Sequence, residues 1–128
     1  MTLLHGIDLT EVSRMEEAIR RQGRTFTRRI FSAGEERYCE SKSERRKYEH
    51  YAARFAAKEA VKKALGLGPK MKLSMREIEV RRYPSGKPFI YLAPRVWRRL
   101  KLGRNARIEL SLTHETKLAM AAVLIMLR

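Results

Sequence analysis

An alanine-rich stretch near the middle of the chain, Ala52 to Gly66, constrains the fold more than any other segment. Alanine is the best helix former, and no residue inside the stretch interrupts a helix. Gly66 stands where a residue in the left-handed conformation would end it. Four alanines recur at helical spacing and form a narrow face that can pack closely against a neighbour: Ala53, Ala57, Ala60 and Ala64.

A second stripe along this helix consists of Tyr51, Phe55, Glu59 and Lys63, spaced four residues apart. Residues at this spacing lie one above the other, so a carboxylate falls between an aromatic ring and an ammonium group. Taken alone, Glu59 and Lys63 are most simply interpreted as an exposed ion pair that contributes little to stability.

Length and composition predict one globular domain. With 128 residues, 44% of them hydrophobic, the chain can form its own core. The single cysteine, Cys39, excludes an intrachain disulfide and a cysteine cluster for zinc, which fits a reducing cytoplasm. The N-terminus lacks a basic region followed by an apolar run, so we expect no signal peptide. The longest apolar run, Leu118 to Leu127, is too short to cross a bilayer, and no membrane partner is expected.

The chain is strongly basic, with 29 lysines and arginines against 14 acidic residues and a net charge of +15. Such a surface attracts polyanions, which include nucleic acids, phosphorylated cofactors, acidic proteins and anionic lipids. Charge alone does not choose among these partners.

The first part of the chain predicts a strand followed by a helix. Leu3 to Leu9 forms the strand, in which Asp8 lies between two apolar residues, an unusual place for a carboxylate. Thr10 is expected to cap a helix over residues 11–21, with Gly23 as its end. Asp8 is either a capping residue or a functional carboxylate, and its neighbours do not decide between the two.

Two polar segments precede the long helix. Ser32 and Glu35 have the spacing of a capping box, so a short helix should begin near Ala33. Ser41 to Lys47 is polar and basic, and we interpret it as a solvated loop.

After the long helix, the pattern predicts a hairpin. Ile78 and Val80 alternate with charged residues, as in a half-buried strand. Pro84 to Lys87 is a turn, and Phe89 to Leu92 is the returning arm.

The last part of the chain predicts a helix from Pro94 to Gly103 and then two strands. Ile108 to His114 alternates, whereas Leu118 to Leu127 is apolar on both faces and is either central in a sheet or covered by another subunit. The order of elements predicts an α+β fold in which an antiparallel sheet packs on the long central helix.

Five motifs occur in the order and spacing of a known family. They are GID with Asp8, Ser32 with Glu35, RFAAKEAVKKALG from Arg54 to Gly66, SGKP from Ser85 to Pro88, and SLTH from Ser111 to His114. Together they resemble the bacterial holo-acyl-carrier-protein synthases, which are small 4′-phosphopantetheinyl transferases. The resemblance covers nearly the whole chain, and the central-helix motif is its most specific part.

The resemblance implies one 4′-phosphopantetheinyl transferase domain over residues 1–128. It implies an enzyme that moves 4′-phosphopantetheine from coenzyme A to a serine of an acidic apo acyl carrier protein, releasing 3′,5′-ADP. It also implies Mg²⁺ as cofactor, a homotrimer with active sites between subunits, and a cytoplasmic role in fatty acid biosynthesis. Whether the natural carrier belongs to fatty-acid or polyketide synthesis stays open.

The resemblance also assigns roles to residues. Asp8 and Glu59 would be the metal ligands, and Lys63 would contact the pyrophosphate; these three form the catalytic set. The residues expected around the nucleotide are Arg54, Lys63, Gly86, Lys87, Pro88 and His114. The residues expected to meet the carrier protein are Arg14, Arg24 and Arg28, although Arg24 and Arg28 are equally well interpreted as solvated.

The chemistry of the residue types agrees with these roles. Mg²⁺ is a hard cation that usually takes one or two protein carboxylates together with water and phosphate oxygens. Phosphoryl-type transfer depends on positioning and on neutralising charge, to which Lys63 could contribute. The base for the serine proton is either Glu59 or a metal-bound water. His114 alone would be interpreted as structural, and only the resemblance gives it a role toward a phosphate.

Two departures from the family pattern affect the coenzyme A site. Glu115 follows the histidine where the family usually has threonine, and Gly66-Leu67-Gly68 stands where it has Gly-Thr-Gly. Two other functions are compatible with parts of the sequence. A nucleic-acid-binding protein is supported by charge but lacks a recognised signature, and a non-catalytic trimeric scaffold is supported only by Glu115.

Overall fold

The structure is a computed structural model that describes residues 1–67 and 72–128. Within these two ranges, five strands and five helices follow one another, with a short 3₁₀ turn at Met75–Glu77. The elements, in chain order, are β1 (Thr2–Glu11), α1 (Val12–Gln22), α2 (Arg24–Ile30), α3 (Ala33–Glu40), α4 (Lys47–Leu65), β2 (Glu79–Arg82), β3 (Pro88–Tyr91), α5 (Pro94–Arg99), β4 (Arg107–His114) and β5 (Leu118–Leu127).

The predicted α+β architecture is confirmed. An antiparallel sheet with strand order β1-β5-β4 packs on α4, which contacts all three strands. The sheet is not continuous, because β2 and β3 form a separate antiparallel hairpin. The alanine face of α4 is buried. Ala57, Ala60 and Ala64 pack in one core cluster with β5, and Ala53 lies in a second cluster.

The apolar run of β5 was expected to be either central in a sheet or covered by another subunit, and the structure bears out the first alternative. It is central, and its alternate residues pack against α4. Its other face is exposed and continues onto β1 as an apolar surface, which comprises Leu3, Ile7, Leu9, Leu118, Met120 and Leu124.

Several local predictions at helix ends are confirmed. Gly66 ends α4 in the left-handed conformation at φ 65°, and Gly23 ends α1. Ser32 and Glu35 form the expected capping box at the start of α3. The prediction that Thr10 caps α1 is wrong, because β1 continues to Glu11 and α1 begins without a side-chain cap.

Two further differences concern the segments around α4. The sequence pattern gave no helix over residues 24–30, where the structure has α2. Gly68, part of the departure after the long helix, lies outside the described residues. No helix in the two described ranges is long and apolar enough to cross a membrane.

A buried ion pair ties α3 and α4 to the start of β2. Nζ of Lys58 lies 2.8 Å from Oε1 of Glu35, and both side chains are fully buried. Lys58 also donates to the carbonyl oxygens of Met75 and Ile78. Glu35 accepts the backbone N–H groups of Ser32 and Val80. Because its hydrogen bonds are satisfied, the pair can fix the relative positions of these elements.

Candidate active site

The candidate site begins where β1 crosses α4. Gly6 faces the helix, and a Cβ atom on it would lie 2.1 Å from the carbonyl oxygen of Ala60. Only glycine therefore lets the two backbones approach this closely. Asp8 lies two residues further along the strand, on the same face. Asp8 and Glu59 consequently line one pocket of about 420 Å³.

Lys63 is paired with β1 rather than with its own helix. Its Nζ lies 3.0 Å from Oδ1 of Asp8 and 3.1 Å from the carbonyl oxygen of Ile7. The other carboxylate oxygen of Asp8 accepts the Thr10 hydroxyl at 2.9 Å. The interpretation of Glu59 and Lys63 as a helix ion pair is therefore wrong, and so is that of Asp8 as a helix cap.

The pocket offers oxygen ligands to a metal ion. Asp8 forms an ion pair with Lys63, whereas the half-buried carboxylate of Glu59 forms none within residues 1–67 and 72–128. Two carboxylates on one pocket match the number that Mg²⁺ commonly takes from a protein. The described residues contain no group of three or more His, Cys, Asp or Glu side chains suited to a metal. An ion held here would therefore take its remaining ligands from water or from a substrate.

A second cluster joins the end of β4 to the first half of α4. Nδ1 of His114 lies 2.8 Å from Oε1 of Glu49, a buried carboxylate. The ring of His50 meets that of His114 edge-on, with 4.9 Å between centroids. Burial, and then the neighbouring His114 and Arg54, lower the pKa of His50 to about 4. His50 is therefore neutral near pH 7.

Arg54 belongs to this cluster and is only 2% exposed. Its guanidinium stacks on Tyr38, 4.1 Å from the ring centroid, and Nη1 lies 3.4 Å from the carbonyl oxygen of His50. Its Nε is buried without a hydrogen-bond partner among the described residues. A buried guanidinium with an unused donor can gain stability from an anionic ligand.

The hairpin between β2 and β3 carries the predicted Gly86, Lys87 and Pro88. Gly86 has φ 93°, which residues with a side chain rarely adopt, and its N–H donates to Tyr83 at 2.8 Å. Nζ of Lys87 lies 3.5 Å from the exposed Glu109. The turn thus presents an ammonium group on a defined backbone.

One chain assembles only part of the predicted site. The pocket of Asp8 and Glu59 is also lined by Arg14 of α1. The described residues that line this pocket include none of those expected around the nucleotide, which are Arg54, Lys63, Gly86, Lys87, Pro88 and His114. Lys63 adjoins the pocket only through its ion pair with Asp8. Arg24 and Arg28 lie on α2 and line a separate cleft.

Glu115 has a structural role in the turn between β4 and β5. Its Oε1 accepts the backbone N–H groups of Lys117 at 2.8 Å and Leu118 at 2.7 Å. The carboxylate is thus directed into its own turn, which explains how an acidic residue is accommodated here.

Comparison with known proteins identifies the family. The profile of the 4′-phosphopantetheinyl transferase superfamily matches residues 5–123. A holo-[acyl-carrier-protein] synthase of Ruminiclostridium cellulolyticum is 40% identical over 127 residues, which cover 99% of this chain and 94% of that protein. The chain belongs to the holo-[acyl-carrier-protein] synthases of this superfamily. The predicted enzyme class is thereby confirmed.

Solved structures of the family have the same fold. A complex of the Chronobacterium ammoniagenes synthase with CoA superposes with a TM-score of 0.85 at 29% identity, covering 100% of this chain and 99% of that one. A Bacillus anthracis holo-(acyl-carrier-protein) synthase in complex with CoA (3′,5′-ADP) gives 0.77 at 31% identity, covering 95% and 94%.

Sequence reasoning missed Glu49 and gave Thr10 the wrong role. Glu49 is separated from His114 by 65 positions, so no local pattern could reveal the pair. Thr10 lies two residues from Asp8 in the same strand. Residues i and i+2 of a strand share a face, so this spacing could have indicated that the Thr10 hydroxyl contacts Asp8.

Proposed function

We propose that the protein transfers 4′-phosphopantetheine from coenzyme A to a serine of an apo acyl carrier protein and releases 3′,5′-ADP in a Mg²⁺-dependent reaction. The observation that carries the proposal is the pairing of Asp8 and Glu59, which are distant in sequence, in one pocket. The CoA complexes of structural relatives with 29% and 31% identity support the nucleotide substrate.

Asp8 and Glu59 would hold the Mg²⁺ ion. When bound, the ion would neutralise the charge of the coenzyme A pyrophosphate. The donor set fits, because both side chains supply oxygen atoms and phosphate oxygens can fill further positions.

The other groups of the pocket have distinct tasks. Thr10 and Lys63 orient Asp8, one on each carboxylate oxygen. Lys63 is exposed enough to contact a phosphate as a point charge. Among the carboxylates that line the pocket, Asp8 and Glu11 form ion pairs, whereas Glu59 has no ion-pair partner in the described part of the chain. We therefore assign Glu59 the role of accepting the serine proton.

The nucleotide would be bound by residues of two chains. Arg54, with its unused donor, and His114, oriented by Glu49, are suited to phosphate groups. They do not line the pocket of Asp8 and Glu59 in one chain, so we propose that a homotrimer completes each site. The exposed apolar surface of β1 and β5 would form the subunit interface. We further propose that residues 1–128 act as one transferase domain and that the protein works in the cytoplasm.

The carrier protein is the macromolecular partner that the charge favours. The net charge of +15 would draw an acidic carrier toward Arg14, which lines the active-site pocket, and toward Arg24 and Arg28 on α2. Nucleic acid and membrane are not proposed as partners.

Mass spectrometry of the carrier protein tests the proposal. Apo carrier protein incubated with the enzyme, coenzyme A and Mg²⁺ should gain about 340 Da, the mass of one phosphopantetheine group transferred intact. Glu59→Gln should fold and give no gain, while the exposed Arg98→Gln serves as matched control and should transfer normally. Absence of the mass gain with wild-type protein would reject the function, and normal transfer by Glu59→Gln would reject the site.

A further inference from the structure

Tyr38 of α3 lies at the centre of a cluster of positive charge. Three cationic groups lie within 5.0 Å of the centroid of its ring: the guanidinium of Arg54 at 4.1 Å, Nζ of Lys42 at 4.5 Å and the guanidinium of Arg82 at 5.0 Å. They come from three separate segments, which are α4, the residues after α3, and the end of β2. We call Tyr38 and these three side chains the Tyr38 cluster.

No carboxylate balances the charge of the Tyr38 cluster within residues 1–67 and 72–128, where Arg54, Lys42 and Arg82 form no ion pair. Arg54 is 2% exposed, and its buried Nε has no hydrogen-bond partner there. The pKa of His50 is lowered by burial and then by its positively charged neighbours, which include Arg54 and Lys42. Because like charges repel and a buried charge is costly without a counter-charge, the cluster favours the binding of an anion.

The surroundings of a second tyrosine differ in this respect. Two cations also lie over the ring of Tyr48, namely Nζ of Lys47 at 5.3 Å and the guanidinium of Arg20 at 5.4 Å. Each of these cations is paired with a carboxylate, at 3.0 Å and 2.9 Å respectively. Stacking on an aromatic ring therefore does not by itself leave a cation unbalanced. Among the described residues, the cations of the Tyr38 cluster lack the partners that those at Tyr48 have.

The Tyr38 cluster connects two parts of the predicted nucleotide site that are distant in sequence. Arg82 reaches the hairpin turn, because a Cβ atom on Gly86 would lie 3.3 Å from its Nη2. The ring of His50 meets that of Tyr38 edge-on, with 5.6 Å between centroids, and it meets that of His114 at 4.9 Å. The turn between β2 and β3 and the end of β4 are thus connected through the Tyr38 ring.

We infer that Tyr38 is a positioning residue of the nucleotide site, whose ring holds the three cations so that their charges converge on one phosphate group of coenzyme A. The inference rests on the proposed function and adds Tyr38, Lys42 and Arg82 to it. Stacking on an aromatic face fixes the direction of a guanidinium before the ligand binds, which lowers the ordering cost of binding. Arginine matches the oxygens of a phosphate, and several cations suit a group that carries more than one negative charge.

Binding of 3′,5′-ADP in the presence of Mg²⁺, measured by isothermal titration calorimetry without carrier protein, tests the role of the ring. Tyr38→Leu removes the aromatic face and should weaken the affinity about tenfold, whereas Tyr38→Phe keeps the face and should stay within about twofold of wild type. The Tyr38 hydroxyl forms no hydrogen bond within the described residues, so its loss alone should matter little.

Tyr48→Leu is the matched control for the ring. It removes an aromatic face from two cations that are paired with carboxylates, so it should leave the affinity for 3′,5′-ADP within about twofold of wild type even if it lowers stability. Thermal unfolding verifies the fold of each variant at the temperature of the binding measurement.

Steady-state kinetics separate positioning from catalysis. Tyr38 does not line the pocket of Asp8 and Glu59. Tyr38→Leu should therefore raise the KM for coenzyme A about tenfold, while kcat and the KM for apo carrier protein stay within about twofold of wild type.

Two neighbouring arginines allow a test at equal net charge. Arg82→Gln removes one cation from the Tyr38 cluster and should weaken 3′,5′-ADP binding about fivefold. Arg81→Gln makes the same change in charge one position away and should leave binding unchanged, because Nε of Arg81 is already paired with Glu79 at 2.7 Å.

The outcomes separate this inference from the proposed function. Wild-type affinity in Tyr38→Leu, equal weakening by Tyr38→Leu and Tyr48→Leu, or loss of binding in Tyr38→Phe would overturn the inference alone. Absence of 3′,5′-ADP binding by the wild-type protein would overturn the proposed function, and this inference with it.

Discussion

The contact between Gly6 and α4 gives the sharpest prediction, because the whole site depends on it. In Gly6→Ala, the new Cβ would lie 2.1 Å from the carbonyl oxygen of Ala60 and 2.7 Å from the backbone nitrogen of Ala64. Both obstacles are backbone atoms of a helix, so no side chain can rotate away. To reach even 3.0 Å, β1 must withdraw by about 0.9 Å.

The cost of this displacement can be bounded. Overpacking a core commonly costs about 1–3 kcal/mol, and we expect the upper end because the neighbours are rigid. At about 4 °C per kcal/mol for a chain of this size, the melting temperature should fall by about 12 °C. Moving Asp8 by about 1 Å relative to Glu59 should also lower the transfer rate about 100-fold.

Thermal unfolding and steady-state transfer, measured at a temperature where the variant is folded, give the two readouts. Gly34→Ala is the control, because its Cβ would find its nearest atom at 3.4 Å and the residue lies in α3. That variant should be unchanged or slightly more stable. If Gly6→Ala melts and reacts like wild type, β1 does not pack on α4 as described.

Three further predictions concern other parts of the molecule. Lys58→Met leaves Glu35 buried without its partner and should cost about 3–5 kcal/mol in denaturant unfolding; the double variant Lys58→Met/Glu35→Gln should recover part of this loss, and no loss in the single variant would contradict the pair. Cys39 is fully buried and burial raises its pKa to about 12, so it should react with a thiol reagent only upon unfolding; rapid reaction of native protein would refute this. The folded-state pKa of His50 is about 4 against an ordinary 6.5, so its contribution to stability is complete above pH 6.5 and is lost as pH falls toward 4; His50→Phe should lose less stability over this interval, and identical pH profiles would reject the assignment.

Local chemistry made much of the fold predictable. Gly66 and the Ser32–Glu35 box act through neighbouring backbone groups, so their roles could be inferred from a few adjacent residues. The strand Leu118–Leu127 was predicted with its correct bounds, because a continuous apolar run marks a central strand.

Tertiary contacts account for what could not be predicted. Glu59 lies one helical turn from Lys63, so local spacing predicts that these two residues pair. Instead, β1 brings Oδ1 of Asp8, 55 positions away in sequence, to 3.0 Å from Nζ of Lys63. The role of Gly6 depends on how closely a strand approaches a helix, which no local pattern reports. The motifs placed Asp8 and Glu59 in a common site only through the family resemblance.

Metal binding by three proteins tests the central claim most directly: the claim that Asp8 and Glu59 together hold one divalent ion. Mn²⁺, a probe of the Mg²⁺ site that electron paramagnetic resonance detects, should be titrated in the presence of coenzyme A into wild type, Asp8→Asn and Glu59→Gln. The account predicts one ion per subunit in wild type, with affinity at least about tenfold weaker in each variant, because each removes an ionised oxygen ligand. Wild-type affinity in either variant would contradict it.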